Sequence, residues 1–200
     1  MIPSSFLGEK LHFLNDIIGL YVLDNDYVEY LYNQDNAVYY HAAYREKIKP
    51  YFGILIAMNE IKYFIPLTSP KEKHIHQKIR TRDFLMMYEK VDKTISEPGA
   101  IYKDITQNDK EKYHILGVLE IEKMIPVPEN KYKKIPFDQL SLNYQFLFFK
   151  EHEFCKSKQD IIKNNATKIY NKTKQKGKRL SKFHCDYIKL EEAMNEYLKS

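Results

Sequence analysis

The segment PLTSPKEKH places two hydroxyl groups beside several basic side chains at the end of a β-rich run. The hydroxyls belong to Thr68 and Ser69, and the basic side chains belong to Lys71, Lys73 and His74. Hydroxyl donors and cations that converge on one point can bind a phosphate and stabilise the negative charge that grows on it during a reaction. A turn with solubilising lysines has the same composition, so these residues alone leave both interpretations open.

The proline that follows the hydroxyls limits the shapes that this corner can take. A residue before proline is biased toward extended backbone, so Pro70 keeps Ser69 from continuing into a helix. We therefore expect the two hydroxyls to be presented on a stiff, extended corner. Lys78, Arg80 and Arg82 add further cations after it.

Another cation can reach this corner from a neighbouring strand. The β-rich runs 51–58 and 61–67 are separated by a short polar turn, which predicts a β-hairpin. Antiparallel pairing returns the end of the second strand to the start of the first. We therefore expect Lys49, which lies just ahead of the first strand, to approach Thr68 and Ser69.

The elements around the hairpin predict an α+β fold, because strands dominate the first part of the chain and helices the last. A helix capped by Asp26 is expected near the start. After Pro136 the apolar residues recur at helical spacing, and Gly177 is expected to end the helix of a basic segment. Besides the hairpin, strands are predicted at Leu20–Leu23, Asp83–Val91 and Tyr113–Val127.

Length and composition favour one globular domain over residues 1–200, with an amphipathic helical pattern in 1–19 and a helical C-terminal part over 137–200. There is no apolar run of roughly 18 residues, which argues against a transmembrane helix. The N-terminus lacks the basic head and apolar block of a signal peptide. Cys155 and Cys185 form neither a disulfide framework nor a CxxC site. We expect a cytoplasmic protein without membrane association.

The formal net charge of +5 is unevenly distributed. Residues 156–182 contain nine lysines and Arg179 but one acid, Asp160, so this segment carries +9 and the rest of the chain −4. A near-neutral body with one strongly basic segment is typical of a protein that binds a polyanion. A solvated helix face produces the same charge pattern.

Several motifs of well-known enzymes are missing from the sequence. GxxxxGK[ST], GxGxxG, HExxH and GxSxG are all absent, which argues against nucleotide-triphosphate, dinucleotide, zinc-protease and α/β-hydrolase chemistry. His74 and His76 are close together, but without a neighbouring cysteine or carboxylate cluster they favour an exposed basic loop over a metal site. We expect no metal and no cofactor.

The hairpin and its corner together resemble the ToxN/AbiQ family, the endoribonuclease toxins of type III toxin–antitoxin systems. KPYFGILIAMNEIKYFIPLTSPKEKH carries the resemblance, with KPY.G and PLTSPK…H at the family's relative spacing, and so does the later strand LGVLEIEKMIPVPE. The resemblance runs from about Leu20 to the helices near Tyr170. Residues 1–19 precede the family's usual start, so they are interpreted as an N-terminal extension.

The resemblance implies a twisted antiparallel sheet with packed helices, similar to the MazF and Kid toxins. It also implies a metal-independent RNase that is inhibited by a small, repetitive, pseudoknotted RNA antitoxin, which the toxin processes from its precursor. Cellular or phage RNA is then the substrate. Protein and antitoxin RNA are expected to form closed hetero-oligomers, and the system is expected to act in abortive infection against phage.

The family's site residues carry over position by position. Its hydroxyl-hydroxyl-Pro-Lys motif maps onto Thr68, Ser69, Pro70 and Lys71, its lysine before the hairpin onto Lys49, and its active-site tyrosine onto Tyr44. Tyr44 stands one position from the family spacing, which Arg45 occupies. In the implied mechanism the RNA 2′-hydroxyl attacks the adjacent phosphate and leaves a 2′,3′-cyclic phosphate. The two hydroxyls hydrogen bond to the phosphate or to the adjacent hydroxyl, and the lysines stabilise the developing anion.

The RNA itself is expected to lie along basic side chains, with Tyr170 stacking on unpaired bases. A non-catalytic RNA-binding module would explain the charge and the aromatic residues equally well. A protein-interaction domain would explain only the amphipathic helices. The expected RNA-binding residues are Lys73, His74, Lys78 and Arg80 beside the corner, and Lys172, Lys174, Lys178 and Arg179 in the basic segment.

Overall fold

One antiparallel sheet and a set of helices make up the part of the chain that the computed structural model describes, which is residues 20–40, 52–58, 60–134, 138 and 140–199. The strands are β1 (Leu20–Leu23), β2 (Phe52–Met58), β3 (Ile61–Thr68), β4 (Phe84–Asp92), β5 (Ile101–Asp104), β6 (Glu111–Glu120), β7 (Ile125–Pro126) and β8 (Tyr132–Lys134). The helices are α1 (Asn25–Gln34), α2 (Lys73–His76), α3 (Leu142–Ser157), α4 (Gln159–Lys176) and α5 (Tyr187–Tyr197).

The eight strands of the described residues follow the order β4-β6-β3-β2-β1-β8, while β5 pairs with β6 and β7 pairs with β3. All of the pairings are antiparallel. An antiparallel sheet with separate helices confirms the predicted α+β class. The further likeness to the MazF and Kid toxins stays a prediction.

The hairpin that ends at the hydroxyl corner is present as predicted. β2 and β3 pair in a register that sets Gly53 opposite Pro66, and Glu60 occupies the left-handed region at the turn, with φ 68°. Gly53 permits an unusually close approach of the two strands, because a Cβ there would lie 2.1 Å from the carbonyl oxygen of Ile65. Any larger residue would therefore push aside the strand that carries the corner.

The prediction of one continuous strand over residues 113–127 is wrong. β6 ends at Glu120, a 3₁₀ turn over Ile121–Lys123 follows, and β7 comes only after that turn. Both β6 and β7 pair with β3, but their registers on it differ by three residues, the length of the turn. Apolar and charged residues alternate from Leu119 to Glu122, and the alternation breaks only at Lys123 inside the turn, so the sequence pattern does not show where β6 ends.

The predicted cap of the first helix is wrong by two residues. Asp24 caps α1, since its Oδ1 accepts the backbone N–H of Tyr27 at 2.9 Å, and Asp26 lies in the first turn. A carboxylate is favourable at either position, because both lie beside the unpaired N–H groups of the helix start. Only the backbone geometry distinguishes the two aspartates.

The helices after Pro136 cover the sheet. α3 packs on β4 and β6, and α5 packs on β7, α1 and α4. Gly177, with φ 63°, ends α4 as predicted, because glycine adopts the left-handed conformation without strain. Among the described residues, no helix has both the length and the apolar character needed to cross a membrane.

Candidate functional site

Thr68 lies at the end of β3, and its hydroxyl is tied to the neighbouring strand. The residue is only 6% exposed. Its Oγ1 lies 3.2 Å from Oε1 of Glu120 and 3.5 Å from the carbonyl oxygen of Val118, and both partners are acceptors. A hydroxyl has one proton to donate, so Thr68 donates within the protein and offers a lone pair to a substrate. The Thr68 hydroxyl is expected to contact either the phosphate or the RNA hydroxyl next to it. The geometry favours the second contact, in which Thr68 accepts a hydrogen bond from that RNA hydroxyl.

Glu120 is a candidate site residue that sequence reasoning missed. It is partly exposed and ends β6, opposite Phe84 of β4. The pairing of β3 with β6 sets Thr68 opposite Val118, and side chains two residues apart on a strand share a face. A lone carboxylate in a strand forms no motif, so only the long-range register brings Glu120 to the corner.

Ser69 and Lys71 present their side chains to solvent at the corner. No residue that the structure describes hydrogen bonds to the Ser69 hydroxyl. Its proton is therefore available to an oxygen of the substrate. A phosphate placed here would meet one hydroxyl donor and one ammonium group, which is the chemistry that the segment predicts.

His74 differs from the exposed basic side chain predicted for this loop, since it is only 3% exposed. Its Nδ1 accepts the backbone N–H of Lys71 at 2.8 Å, and the backbone N–H of His74 donates to the Lys71 carbonyl oxygen at 2.8 Å. Burial, and then the nearby ammonium groups of Lys73 and Lys71, lower the pKa of His74 below its usual value. A neutral, buried imidazole is a poor phosphate ligand, so these contacts point to a role within the loop.

The other cations of this loop lie along its return path to the sheet. Lys73, Lys78 and Arg80 are exposed and Arg82 is partly exposed. The loop ends where β4 begins, and the first residue of β4 pairs with Glu120. The loop that carries these cations therefore comes back to the end of the sheet at which the hydroxyl corner lies.

A second carboxyl lies close to Glu120. Glu122 belongs to the 3₁₀ turn, and its Oε2 is buried with no hydrogen-bond partner among the described residues. Burial raises the pKa of Glu122 to about 7, and the carboxylates of Glu120 and Asp83 reinforce the rise. Its carboxyl can therefore exchange a proton near neutral pH.

Lys49 and Tyr44 lie outside the described residues, so their places at the site stay predictions. The expectation for Lys49 rests on antiparallel pairing of the hairpin strands, and β2 and β3 do pair in this way, with Gly53 opposite Pro66.

α4 presents a ridge of lysines to solvent. Lys168, Lys172 and Lys176 are exposed and stand four residues apart, so they share one face of the helix. On the same helix, Asn165 Nδ2 donates to the carbonyl oxygen of Thr81 at 3.2 Å. This contact ties the first half of α4 to the loop that returns to the corner.

The predicted RNA-binding residues of the basic segment fall into two pairs. Lys172 and Lys178 are exposed. Lys174 instead pairs with a carboxylate of α5, and Arg179 Nη2 lies 3.2 Å from Oδ1 of the buried Asp35. The second pair already neutralises carboxylates of the fold, so the exposed pair has more positive charge to offer a polyanion.

The prediction that Tyr170 stacks on RNA bases is wrong. Tyr170 is 5% exposed, its hydroxyl donates to Glu191 at 3.0 Å, and its ring packs edge-on against Tyr63. It belongs to the core. Its spacing of four and eight residues from Ala166 and Ile162 is the periodicity of the buried stripe of α4, and that signal could have identified it.

Comparison with known proteins gives a match over most of the chain. The family described as "Toxin ToxN, type III toxin-antitoxin system" matches residues 19–195. The chain is 28% identical to the endoribonuclease ToxN of Bacillus thuringiensis subsp. kurstaki, over 88% of this chain and 82% of that protein. It is 27% identical to the endoribonuclease AbiQ of Lactococcus lactis subsp. lactis, over 98% of this chain and 97% of that protein.

The fold is similar to that of solved structures as well. One of them comes from a study of selective toxin inhibition by a non-coding RNA pseudoknot in bacterial type III toxin–antitoxin systems. The two chains superpose with a TM-score of 0.67 at 26% sequence identity, over 92% of this chain and 100% of the other.

Proposed function

The chain belongs to the ToxN family of toxins from type III toxin–antitoxin systems, and from that premise we propose that it is a metal-independent endoribonuclease whose active site is the hydroxyl corner at the end of β3. The observation that carries the proposal is the arrangement of an exposed Ser69 beside the hydrogen-bonded pair Thr68–Glu120, with Lys71 two residues after Ser69. The relatives described above are endoribonucleases, which fits this chemistry.

RNA supplies its own nucleophile, so the protein has to place the phosphate, stabilise charge and move protons. The 2′-oxygen forms a bond to phosphorus while the bond from phosphorus to the 5′-oxygen breaks. Thr68 accepts the 2′-hydroxyl proton as its own proton passes to Glu120. Ser69 and Lys71 stabilise the non-bridging oxygens. The 5′-oxygen receives a proton from Lys71, Lys49 or Tyr44, and the products carry 2′,3′-cyclic phosphate and 5′-hydroxyl ends.

The partner in this proposal is a small, repetitive RNA antitoxin with a pseudoknot fold, which the enzyme cuts from its precursor and then holds in a closed protein–RNA assembly. Inhibition by such a pseudoknot is the subject of the study that provided the similar solved structure. Cellular or phage RNA in the cytoplasm is the substrate once the antitoxin is lost, which makes the protein an agent of abortive infection. Residues 1–200 act as one toxin domain, and 1–19 are its N-terminal extension.

The lysine ridge and the cations of the loop form the proposed RNA surface. We expect the triple replacement Lys168→Gln, Lys172→Gln and Lys176→Gln to weaken antitoxin binding, because each lysine that contacts a phosphate releases counterions. For single-stranded RNA the slope of log K against log salt should flatten by about 2, at roughly 0.7 per lost contact. Binding measured at several salt concentrations gives the slope.

The matched control for the ridge lies at the far end of the paired strands β4 and β6. Lys93 and Lys110 are exposed there, past the end of β4 and before the start of β6, while the corner lies at the opposite end of β6. The double replacement Lys93→Gln and Lys110→Gln should leave the salt slope unchanged. Equal slopes for the ridge variant and the wild type would count against the ridge.

The proposed reaction is tested directly by incubating the protein with cellular RNA in EDTA and mapping the ends that form. We expect cuts with 2′,3′-cyclic phosphate on the upstream fragment and 5′-hydroxyl on the downstream fragment. Tight RNA binding without any cleavage would contradict the proposal and leave the corner as the phosphate clamp of a binding module.

A further inference from the structure

We propose that His74 is a positioning residue of this nuclease, whose imidazole holds the backbone of Lys71 and thereby fixes the lysine that follows the hydroxyl corner. The inference rests on the proposed function of that corner. His74 does not contact the substrate in this account, and it acts through the loop that carries the catalytic lysine.

The hydrogen bonds between the two residues are reciprocal. The backbone nitrogen of Lys71 lies 2.8 Å from Nδ1 of the His74 ring, to which it donates, and the Lys71 carbonyl oxygen accepts the backbone N–H of His74 at 2.8 Å. A backbone N–H can only donate, so Nδ1 must be the acceptor and the ring proton must lie on Nε2. The bond therefore exists only while the imidazole is neutral.

The segment around His74 is anchored as well. From β5, the side chain of Lys103 donates a hydrogen bond to the carbonyl oxygen of Ile75, and the ring of His74 itself is almost fully buried. A surface turn that only displays lysines would need neither feature. The imidazole thus links Lys71 to a fixed part of the fold.

Lys73 and Lys71 stand beside His74 in the chain, and their ammonium groups both disfavour protonation of the imidazole. Two further charged groups belong to the elements that meet here: the exposed Glu72 between those lysines, and Lys103 of β5, which binds the carbonyl oxygen of Ile75. Burial together with Lys73 and Lys71 keeps His74 neutral at physiological pH. Acidification well below the usual pKa of histidine places a proton on Nδ1, which then faces the Lys71 N–H as a second donor. The hydrogen bond is lost and Lys71 shifts away from the corner.

Three variants test this role. His74→Gln keeps an acceptor, because a glutamine three residues on can reach back to a backbone N–H as it does in capping boxes. His74→Leu removes the acceptor while it fills the buried space. His76→Gln is the matched control, since His76 is exposed in the same short helix.

The readouts are the pH profile of RNA cleavage and the hydrogen exchange of the Lys71 amide. We expect wild type and His76→Gln to lose activity more steeply in acid than His74→Gln, because the carboxyl groups of the site are present in every variant while the acid-labile contact of His74 is not. In wild type and His76→Gln the Lys71 amide should also lose its protection from exchange once the pH is well below the usual pKa of histidine, whereas His74→Gln should keep that protection and most of the neutral activity. His74→Leu should cleave about tenfold more slowly at neutral pH, the loss that one ordinary hydrogen bond corresponds to, and its Lys71 amide should exchange faster.

Wild-type cleavage and wild-type exchange of the Lys71 amide in His74→Leu would overturn the inference. If His74→Leu fails to melt cooperatively, His74→Gln decides: a Lys71 amide that loses its protection in acid in this variant as it does in wild type overturns the positioning role, and protection that persists supports it. The exchange rate of the Lys71 amide is independent of catalysis. A failure of the proposed nuclease would appear separately, as RNA that stays intact with every variant while the exchange results still report on His74.

Discussion

Replacing Ser69 with alanine is expected to slow RNA cleavage by roughly 10²–10³-fold, which is the usual effect of removing one hydrogen-bond donor from a developing anion. The Ser69 hydroxyl is exposed and meets no partner among the described residues. The fold should therefore lose almost nothing, and its free energy of unfolding should change by less than about 0.5 kcal/mol. The affinity for antitoxin RNA should also hold, because phosphate contacts along the loop and the lysine ridge supply it.

The measurement is single-turnover cleavage of one RNA substrate, together with antitoxin affinity and a melting curve for each variant. Ser96→Ala is the matched control, because Ser96 is an exposed serine in the connection between β4 and β5. It should cleave at the wild-type rate. A fully active Ser69→Ala enzyme would remove the hydroxyl corner from the mechanism, whatever the RNA affinity turned out to be.

The hairpin and its corner could be predicted because the signals are local. Two β-rich runs, a short turn and a proline after the hydroxyls all lie within about twenty residues, so pairing and exposure follow from the chain itself. Glu120 could not be found in this way. Its contact with Thr68 depends on the register in which β6 pairs with β3. β7 also pairs with β3, but after the 3₁₀ turn its register is shifted by three residues.

In the basic segment, too, local features could be predicted from the sequence and long-range ion pairs could not. Its net charge and its helical spacing are properties of the sequence, and the exposed lysines of α4 follow from them. The pairing of Arg179 with Asp35 joins residues that are far apart in the chain, and no local pattern announces it. His74 is similar: it is buried, and the contact of α2 with β5 joins segments that are about 25 residues apart in the chain.

The core also contains a carboxyl group that the apolar periodicity of the sequence does not predict and the proposed chemistry does not use. Glu151 of α3 is 1% exposed, and its Oε2 has no hydrogen-bond partner among the described residues. It lies above the sheet at Gly117, where a Cβ would come within 2.6 Å of Oε1 of Glu151. Burial raises the pKa of Glu151 to about 8, so the folded protein holds this carboxyl neutral at physiological pH.

The sign of the pH dependence follows from that raised pKa. Between about pH 4.5, its unperturbed value, and about pH 8 the unfolded chain releases the proton of Glu151 while the folded chain retains it. The stabilisation is therefore complete below about pH 4.5 and is lost as the pH rises through the folded pKa. At about 1.4 kcal/mol per pH unit, the free energy of unfolding should fall by several kcal/mol across this window.

Glu151→Met should remove this pH-dependent fall in the free energy of unfolding, because methionine fills a similar volume without a charge to bury. We expect the variant to exceed the wild type by roughly 3 kcal/mol at pH 8, or about 6–12 °C in Tm for a chain of this size. The advantage should shrink as the pH falls toward 5. Glu122, whose pKa is also raised, contributes equally to both proteins, so their difference isolates Glu151.

Denaturant unfolding at a series of pH values from 5 to 8 measures the difference, and Glu192→Gln provides the control. Glu192 is an exposed glutamate of α5, so its replacement should shift stability little and by the same amount at every pH. A Glu151→Met advantage that stays constant with pH would mean that the wild-type carboxyl is already ionised in the fold. A methionine variant that is less stable than wild type at pH 8 would mean that Glu151 has a favourable partner when it is charged, and the buried carboxyl would then stabilise the packing of α3 on the sheet.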